Sequence, residues 1–180
     1  MPGRPVQFSS FMLDHDVKEA AARVRLLTVE FAGQRCALMA SDVVEVQRAV
    51  AIARLPRCPS IIEGAINVRG NLVPVVDVRS RLGLPPARLD PSNHFVLARL
   101  PRAQAHGVRT VAIRVDRALD IVSVSRDRID NGAAIPGLQL VAGIAKLDDG
   151  LLVIHDLDAF LSLEEAAELG RALARQQTDG

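Results

Sequence analysis

The chain has 180 residues, enough for one domain or two small lobes on a shared core, and its 49% hydrophobic content excludes a disordered chain. Lys and Arg number 22 against 21 Asp and Glu, a net charge of +1, with no Trp, no Tyr and five Phe. A general pull on phosphate backbones and aromatic platforms for stacking bases are therefore both missing, and no apolar run reaches the roughly 20 residues a membrane-crossing helix needs.

Residues 1–24 read as a separate tail. Met1 to Ser10 carries turn and loop residues, and Asp14 to Arg25, with Ala20, Ala21 and Ala22 among charges, predicts a short helix. Met1 to Asp16 lacks a cationic start followed by an apolar run, so no signal peptide is expected and the chain is placed in the cytoplasm. Cys36 and Cys58 form neither a disulfide framework nor a C-x-x-C site; they read as two reduced thiols.

From Leu26 the pattern becomes β-rich. Leu26 to Phe31, a turn at Ala32-Gly33-Gln34 and a second run to Ala40 predict a hairpin, and Val43 to Val46 a further strand. Pro56 and Pro59 bracket a turn. Leu72 to Val78 reads as a buried strand whose Pro74 places it at an edge or a bulge. Arg79 to Leu82 makes one helical turn, stopped by Gly83-Leu84-Pro85-Pro86, and a linker runs to Asn93. The second half follows the same order. Strands are predicted at His94 to Leu100, Thr110 to Val115, Leu119 to Val124 and Leu151 to Ile154, with a polar turn from Pro101 to Arg109 and a loop from Gly132 to Gly137. Ser162 and Glu165 fit a capping box opening a terminal helix to about Gln176, weakened by Gly170.

The order repeats because the sequence does. Residues 64–84, GAINVRGNLVPVVDVRSRLGL, align without gaps on residues 143–163, GIAKLDDGLLVIHDLDAFLSL; Gly64 meets Gly143, Val75 meets Ile154 and Asp77 meets Asp156. Residues 36–47 align likewise on residues 111–122. A period of about 75–79 residues is too long for a solenoid unit and suits a duplicated small β-barrel, the first half near 25–84 and the second near 94–163. The copies differ at one turn. Asn67-Val68-Arg69-Gly70 stands where the second copy has Lys146-Leu147-Asp148-Asp149-Gly150, so only the first presents a guanidinium beside glycine. Arginine's five donors suit carboxylates and carbonyls of a protein partner.

Catalytic readings find little support. Asp77 and Asp156 occupy equivalent positions, as in a carboxylate dyad, but lack the Asp-Thr/Ser-Gly turn of aspartic proteases and read as turn caps. His155-Asp156-Leu157-Asp158 is the nearest approach to a metal cluster, and four histidines spread over the chain do not converge on it. Neither a Gly-rich phosphate loop nor a G-x-S-x-G elbow occurs, so no enzyme, cofactor or metal is expected.

The stretch GAINVRGNLVPVVDVRSRLGL resembles the most recognisable motif of the CheW family of chemotaxis coupling proteins, an Asn-x-Arg-Gly turn before an apolar strand ending in Pro-x-x-Asp. VVEVQRAVAIARLPRCPSIIEG upstream, and VAIRVDRALDIVSVSRDRI and LVAGIAKLDDGLLVIHDLDAFLSLEE downstream, extend the resemblance over about residues 25–168, leaving 169–180 as helix end and tail. Where the family often has Ile-Arg-Gly after the glutamate, this chain has Val46-Gln47-Arg48-Ala49. The resemblance implies an all-β fold of two SH3-like five-stranded barrels on a shared core, with short terminal helices. It implies a cytoplasmic adaptor without catalysis, joining the cytoplasmic tip of a methyl-accepting chemotaxis receptor to the regulatory domain of a CheA-type histidine kinase and able to enter ring assemblies with that kinase. Carried over, the receptor-facing set is Val43, Glu45, Gly64 and Arg69, with Asn67 and Gly70 shaping the turn and kinase contacts on the first-half barrel. A kinase's detached regulatory module, which would join an array without gripping a receptor, is the alternative.

Overall fold

Two β-sheets share one apolar core in the computed structural model, which describes residues 22–131 and 139–178. The strands are β1 (Arg23–Phe31), β2 (Gln34–Met39), β3 (Val43–Arg48), β4 (Ile62–Val68), β5 (Asn71–Val76), β6 (His94–Arg99), β7 (Thr110–Val115), β8 (Arg117–Ser125), β9 (Ile129–Asn131), β10 (Val141–Leu147) and β11 (Gly150–His155), followed by helix α1 (Leu163–Thr178). One sheet runs β8-β1-β2-β11-β10-β9 and the other β3-β6-β7-β5-β4. The predicted two-barrel, all-β architecture is what the chain adopts.

Burial explains the apolar runs. In β1, Val24 and Leu26 face the interior of their own sheet, while Leu27, Val29 and Phe31 face the core shared with the other sheet. A strand covered on both sides carries no polar face, so it reads as a continuous apolar run. Each sheet also encloses a small core of its own, and the repeat maps one onto the other: Ala37, Ala145, Leu152 and Ile154 fill the first where Ala112, Ile66, Val73 and Val75 fill the second.

The duplication is visible in register. Hairpins β4–β5 and β10–β11 each slip by one residue at the same place, between Ile62 and Gly64 and between Val141 and Gly143. Their second strands then pair in parallel with equivalent partners, Val75 with Ala112 and Ile154 with Ala37. The barrels nevertheless do not coincide with the halves of the chain. Strand β3 leaves β2 to pair with β6, and β8 leaves β7 to pair with β1, so one sheet holds β3–β7 and the other β1, β2 and β8–β11. The six-stranded sheet exceeds the expected five by β9, laid on β10; at the matching place on β4 the chain makes a single bridge, Ala53 to Ala65.

Other expectations change in detail. Residues 14–21 of the predicted N-terminal helix and the loop 132–137 lie outside the described residues; Arg23 to Arg25, assigned to that helix, are strand, because they pair with Ser123 to Ser125 of β8. The polar turn after β6 holds a 3-10 helix, Pro101–His106, closed by Gly107 in the left-handed region at φ 81°. Strand β5 is interior, not an edge. Pro74 is tolerated because Ala65, opposite it, turns its own N–H and C=O to Ala53 and takes no donor from it, and because the parallel pairing with β7 begins only at Val75. The bulge sits instead in β4. The capping box forms as predicted: Glu165 N–H donates to Ser162 Oγ (3.1 Å) and Ser162 N–H to Glu165 Oε2 (2.9 Å).

Candidate functional site

Hairpin β4–β5 turns on two residues, Arg69 and Gly70, with Val68 paired to Asn71. Both turn residues have positive φ, 53° and 84°, the signature of a type I′ turn. Such turns match strand twist but favour Asn-Gly, since a side chain costs about 1–2 kcal/mol in this region. Asn67 supports the turn by accepting from Gly70 N–H at 2.8 Å. In the second copy neither Asp148 nor Asp149 has positive φ, although the pairing of Leu147 with Gly150 closes the hairpin at the same length. The barrel therefore does not require a left-handed arginine; the first copy carries one at a cost.

Arg69 reaches across the barrel. Its Nη2 lies 2.9 Å from Glu45 Oε2 of β3, although β3 and β4 are opposite edges of the sheet. The sheet curls until its edges meet, and this ion pair spans the seam. The arginine side chain is 79% exposed, so the pair contributes no more than about 1 kcal/mol and leaves most of the guanidinium open to a partner. Glu45, Val44 and Arg69 border a groove of about 700 Å³ that also meets Leu72, Leu173 and Arg109. On the other side of β3, Val43, Val44 and Glu45 line a second groove of about 640 Å³, whose far wall is β1 and β8 of the other sheet. Strand β3 is thus the ridge between two grooves, and Val43 is half-buried against the shared core.

Gly64 has a different place from the rest of the predicted set. It is buried at the β4 bulge with φ 149°, and a Cβ there would stand 2.2 Å from the Ala53 carbonyl oxygen. It lets residues 52–53 cross the hairpin, and Gly143 does the same under Asp130 in the second copy. Gly64 acts on the surface through the backbone it admits, while Glu45, Asn67, Arg69 and Gly70 converge at the hairpin tip.

Sequence reasoning missed a buried charge cluster. Arg114 is 1% exposed in the middle of β7, paired with Asp77 and with Glu63 Oε2 at 2.9 Å, and it donates to the Ala87 carbonyl at 3.0 Å. Arg79 is also buried and pairs with Asp116, whose other oxygen accepts Ala32 N–H at 2.5 Å. The cluster ties β4, β5 and β7 to the β1–β2 turn of the other sheet. An arginine inside the apolar run VAIRV was the available signal, because a buried charge must find partners. Burial pushes the Glu63 carboxyl up, against the pull of Arg114.

The carboxylate-dyad idea fails on partners. Asp77 Oδ1 accepts Arg79 N–H at 3.1 Å, and Asp156 Oδ1 accepts Asp158 N–H at 3.0 Å, the same turn in both copies. Asp77 spends its remaining capacity on arginine. Half-buried His155 directs Nδ1 to the Leu140 carbonyl at 3.1 Å and packs at a tilt against Phe160, and burial lowers its pKa. Among the described residues, no group of three or more His, Cys, Asp or Glu could hold a metal ion. Cys36 is buried, which pushes its thiol up to about 12.

Comparison with known proteins follows this geometry. A family model described as CheW-like domain matches residues 25–165. A probable chemotaxis protein CheW of Rhizobium etli is 25% identical over 144 residues, spanning 78% of this chain and 89% of that protein. Chemotaxis protein CheW of Bacillus subtilis is 28% identical over 139 residues, 74% of this chain and 84% of that one. The crystal structure of scaffolding protein TtCheW from Thermoanaerobacter tengcongensis shares the fold with a TM-score of 0.69 and 24% identity, covering 79% of this chain and 94% of that chain.

Proposed function

The chain belongs to the CheW-like family, and on that premise we propose that it is a chemotaxis adaptor without catalysis that couples a methyl-accepting receptor's cytoplasmic tip to a CheA-type histidine kinase. A receptor helix lies in the groove between the two sheets, against Val43, Val44 and Glu45. The Arg69 hairpin stands at its border. The kinase's regulatory domain docks on strands of the first half of the chain, within residues 25–84, and the two partners together recruit the chain to membrane-associated arrays, where it can take a place in a ring with the kinase. Among the described residues no helix is long and apolar enough to cross a membrane.

The observation that carries this reading is Arg69 itself: an exposed guanidinium held in the left-handed region, ion-paired to Glu45, at a turn whose repeat counterpart does without it. Backbone strain kept at an exposed position is a sign of function. Arg69→Asn tests it cleanly, because asparagine suits the turn and lacks the guanidinium. Binding to a receptor signalling fragment or to the kinase regulatory domain, measured by calorimetry, should weaken by about 1–3 kcal/mol, as for an interface hot spot. The unfolding midpoint should stay level or rise. Unchanged affinity for both partners would remove Arg69 from the interface.

A further inference from the structure

The groove between the sheets carries a charge pattern of its own. Its apolar lining includes exposed Val44, Val46 and Ile121, at 48%, 37% and 54% of their full accessibility. Val46 and Ile121 are counterparts in the repeat, one on each edge strand, so both walls offer an apolar residue at a matched position. Arg23, Arg25 and Arg126, all exposed, line the same groove. Arg23 is oriented by donating from Nε to Ser123 Oγ at 3.0 Å and from Nη2 to the Ser123 carbonyl at 2.9 Å. Among the described residues no carboxylate pairs with any of these three arginines, and Glu45, the acidic residue lining the groove, is engaged by Arg69. Three cations without anions border an apolar floor in a chain whose net charge is only +1.

We propose that this groove selects its occupant by charge: it takes an amphipathic helix whose apolar stripe sits on Val44, Val46 and Ile121 and whose flanking carboxylates meet Arg23, Arg25 and Arg126. The proposal rests on the adaptor reading for the helical form of the occupant; the acidic character follows from the groove. Spacing agrees. Arg23 and Arg25 lie two residues apart on a strand, about 6.6 Å at 3.3 Å per residue, and carboxylates four apart on a helix are separated by about 6 Å along its axis. A basic rim of this kind raises association rates and rejects partners of like charge more than it adds affinity.

The experiment uses the full chain and two fluorescent helical peptides with one shared apolar stripe, flanked by Glu in the first and Lys in the second. The Glu peptide should bind about tenfold or more tightly than the Lys peptide at low salt, with the gap narrowing at about 0.3 M salt. Reversing the rim with Arg23→Glu, Arg25→Glu and Arg126→Glu should invert the preference, and the milder triple change to Gln should abolish it; an unchanged thermal midpoint establishes that each variant is folded. Equal binding of the two peptides, binding of neither, or a preference indifferent to the rim overturns the proposal. Self-association of the chain that Ile121→Asp abolishes also overturns it, since the groove would then belong to a second copy. A receptor signalling fragment separates this failure from that of the adaptor reading. If Ile121→Asp weakens the fragment's binding and the rim reversal does not, charge selection falls and the adaptor stands; if neither variant matters, the receptor groove itself is misplaced.

Discussion

Equivalent residues in the two copies have taken different work, and this is where single substitutions are most informative. Asp77 and Asp156 cap the same turn, but only Asp77 also neutralises Arg114, 1% exposed. Losing a cap costs about 1 kcal/mol, whereas removing one carboxylate partner from a buried arginine costs up to about 3–5 kcal/mol. Urea unfolding should therefore show Asp77→Ala several-fold more damaging than Asp156→Ala; equal losses would mean that the cluster contributes nothing beyond the turn. His155 supplies a pH signature. Burial lowers its pKa, so the unfolded chain binds its proton more readily. Its contribution to stability is present above the ordinary value of about 6.5 and is lost as pH falls through the folded pKa. Glu63, raised by burial, has the opposite sign: its contribution is present below the ordinary carboxylate range and lost as pH rises through its folded pKa. Comparing wild type with His155→Gln at several pH values isolates the histidine. Wild type should lose more stability than the variant between about pH 7 and 5, and parallel curves would contradict the assignment. At this scale the sequence showed the turn caps directly. Arg114 stayed hidden because its partners, Glu63 and Asp77, come from strands far away in the chain.

Among the elements, the β1–β2 hairpin and the capped helix were legible because their causes are local: apolar β-rich runs, turn residues, a Ser-x-x-Glu box; β4 and β10, the first strands of the other two hairpins, were not predicted. Strand β9 was not, since three residues hold together only by resting on Gly143, where a Cβ would lie 2.9 Å from the Asp130 carbonyl oxygen. The start of β1 looked helical from its alanines, and only pairing with β8 made it strand. Helix α1 shows local preference yielding to packing. Gly170 reads as a weak point in a helix, yet a Cβ there would stand 2.0 Å from the His106 carbonyl oxygen, in the 3-10 helix on which α1 rests. Alanine gains about 1 kcal/mol in helix propensity, and the clash with a backbone atom outweighs it. Gly170→Ala should destabilise the chain by about 1–3 kcal/mol in denaturant titration; a more stable variant would show that the helix can shift outward at no cost.

The whole molecule places two barrels around one core, and the duplication that revealed them also concealed their wiring. Exchanging β3 and β8 between the halves leaves every repeat correspondence intact, so the alignment of one half on the other reads the same with or without exchange. The exchange matters for the surface: it sets β3 of one sheet against β1 and β8 of the other and so creates the groove between them. The site residues came mainly from the family motif. Their convergence is a property of the closed barrel, in which Glu45 and Arg69 meet across the seam between opposite edges. The proposed adaptor role requires one chain to hold two partners together. Co-sedimentation of a purified CheA-type kinase with membranes bearing a chemoreceptor, with and without this chain, measures that directly. Kinase should sediment with the receptor membranes when the chain is present and remain largely in solution when it is absent. A chain that binds the kinase but leaves it in solution would contradict the account and identify a detached kinase module instead.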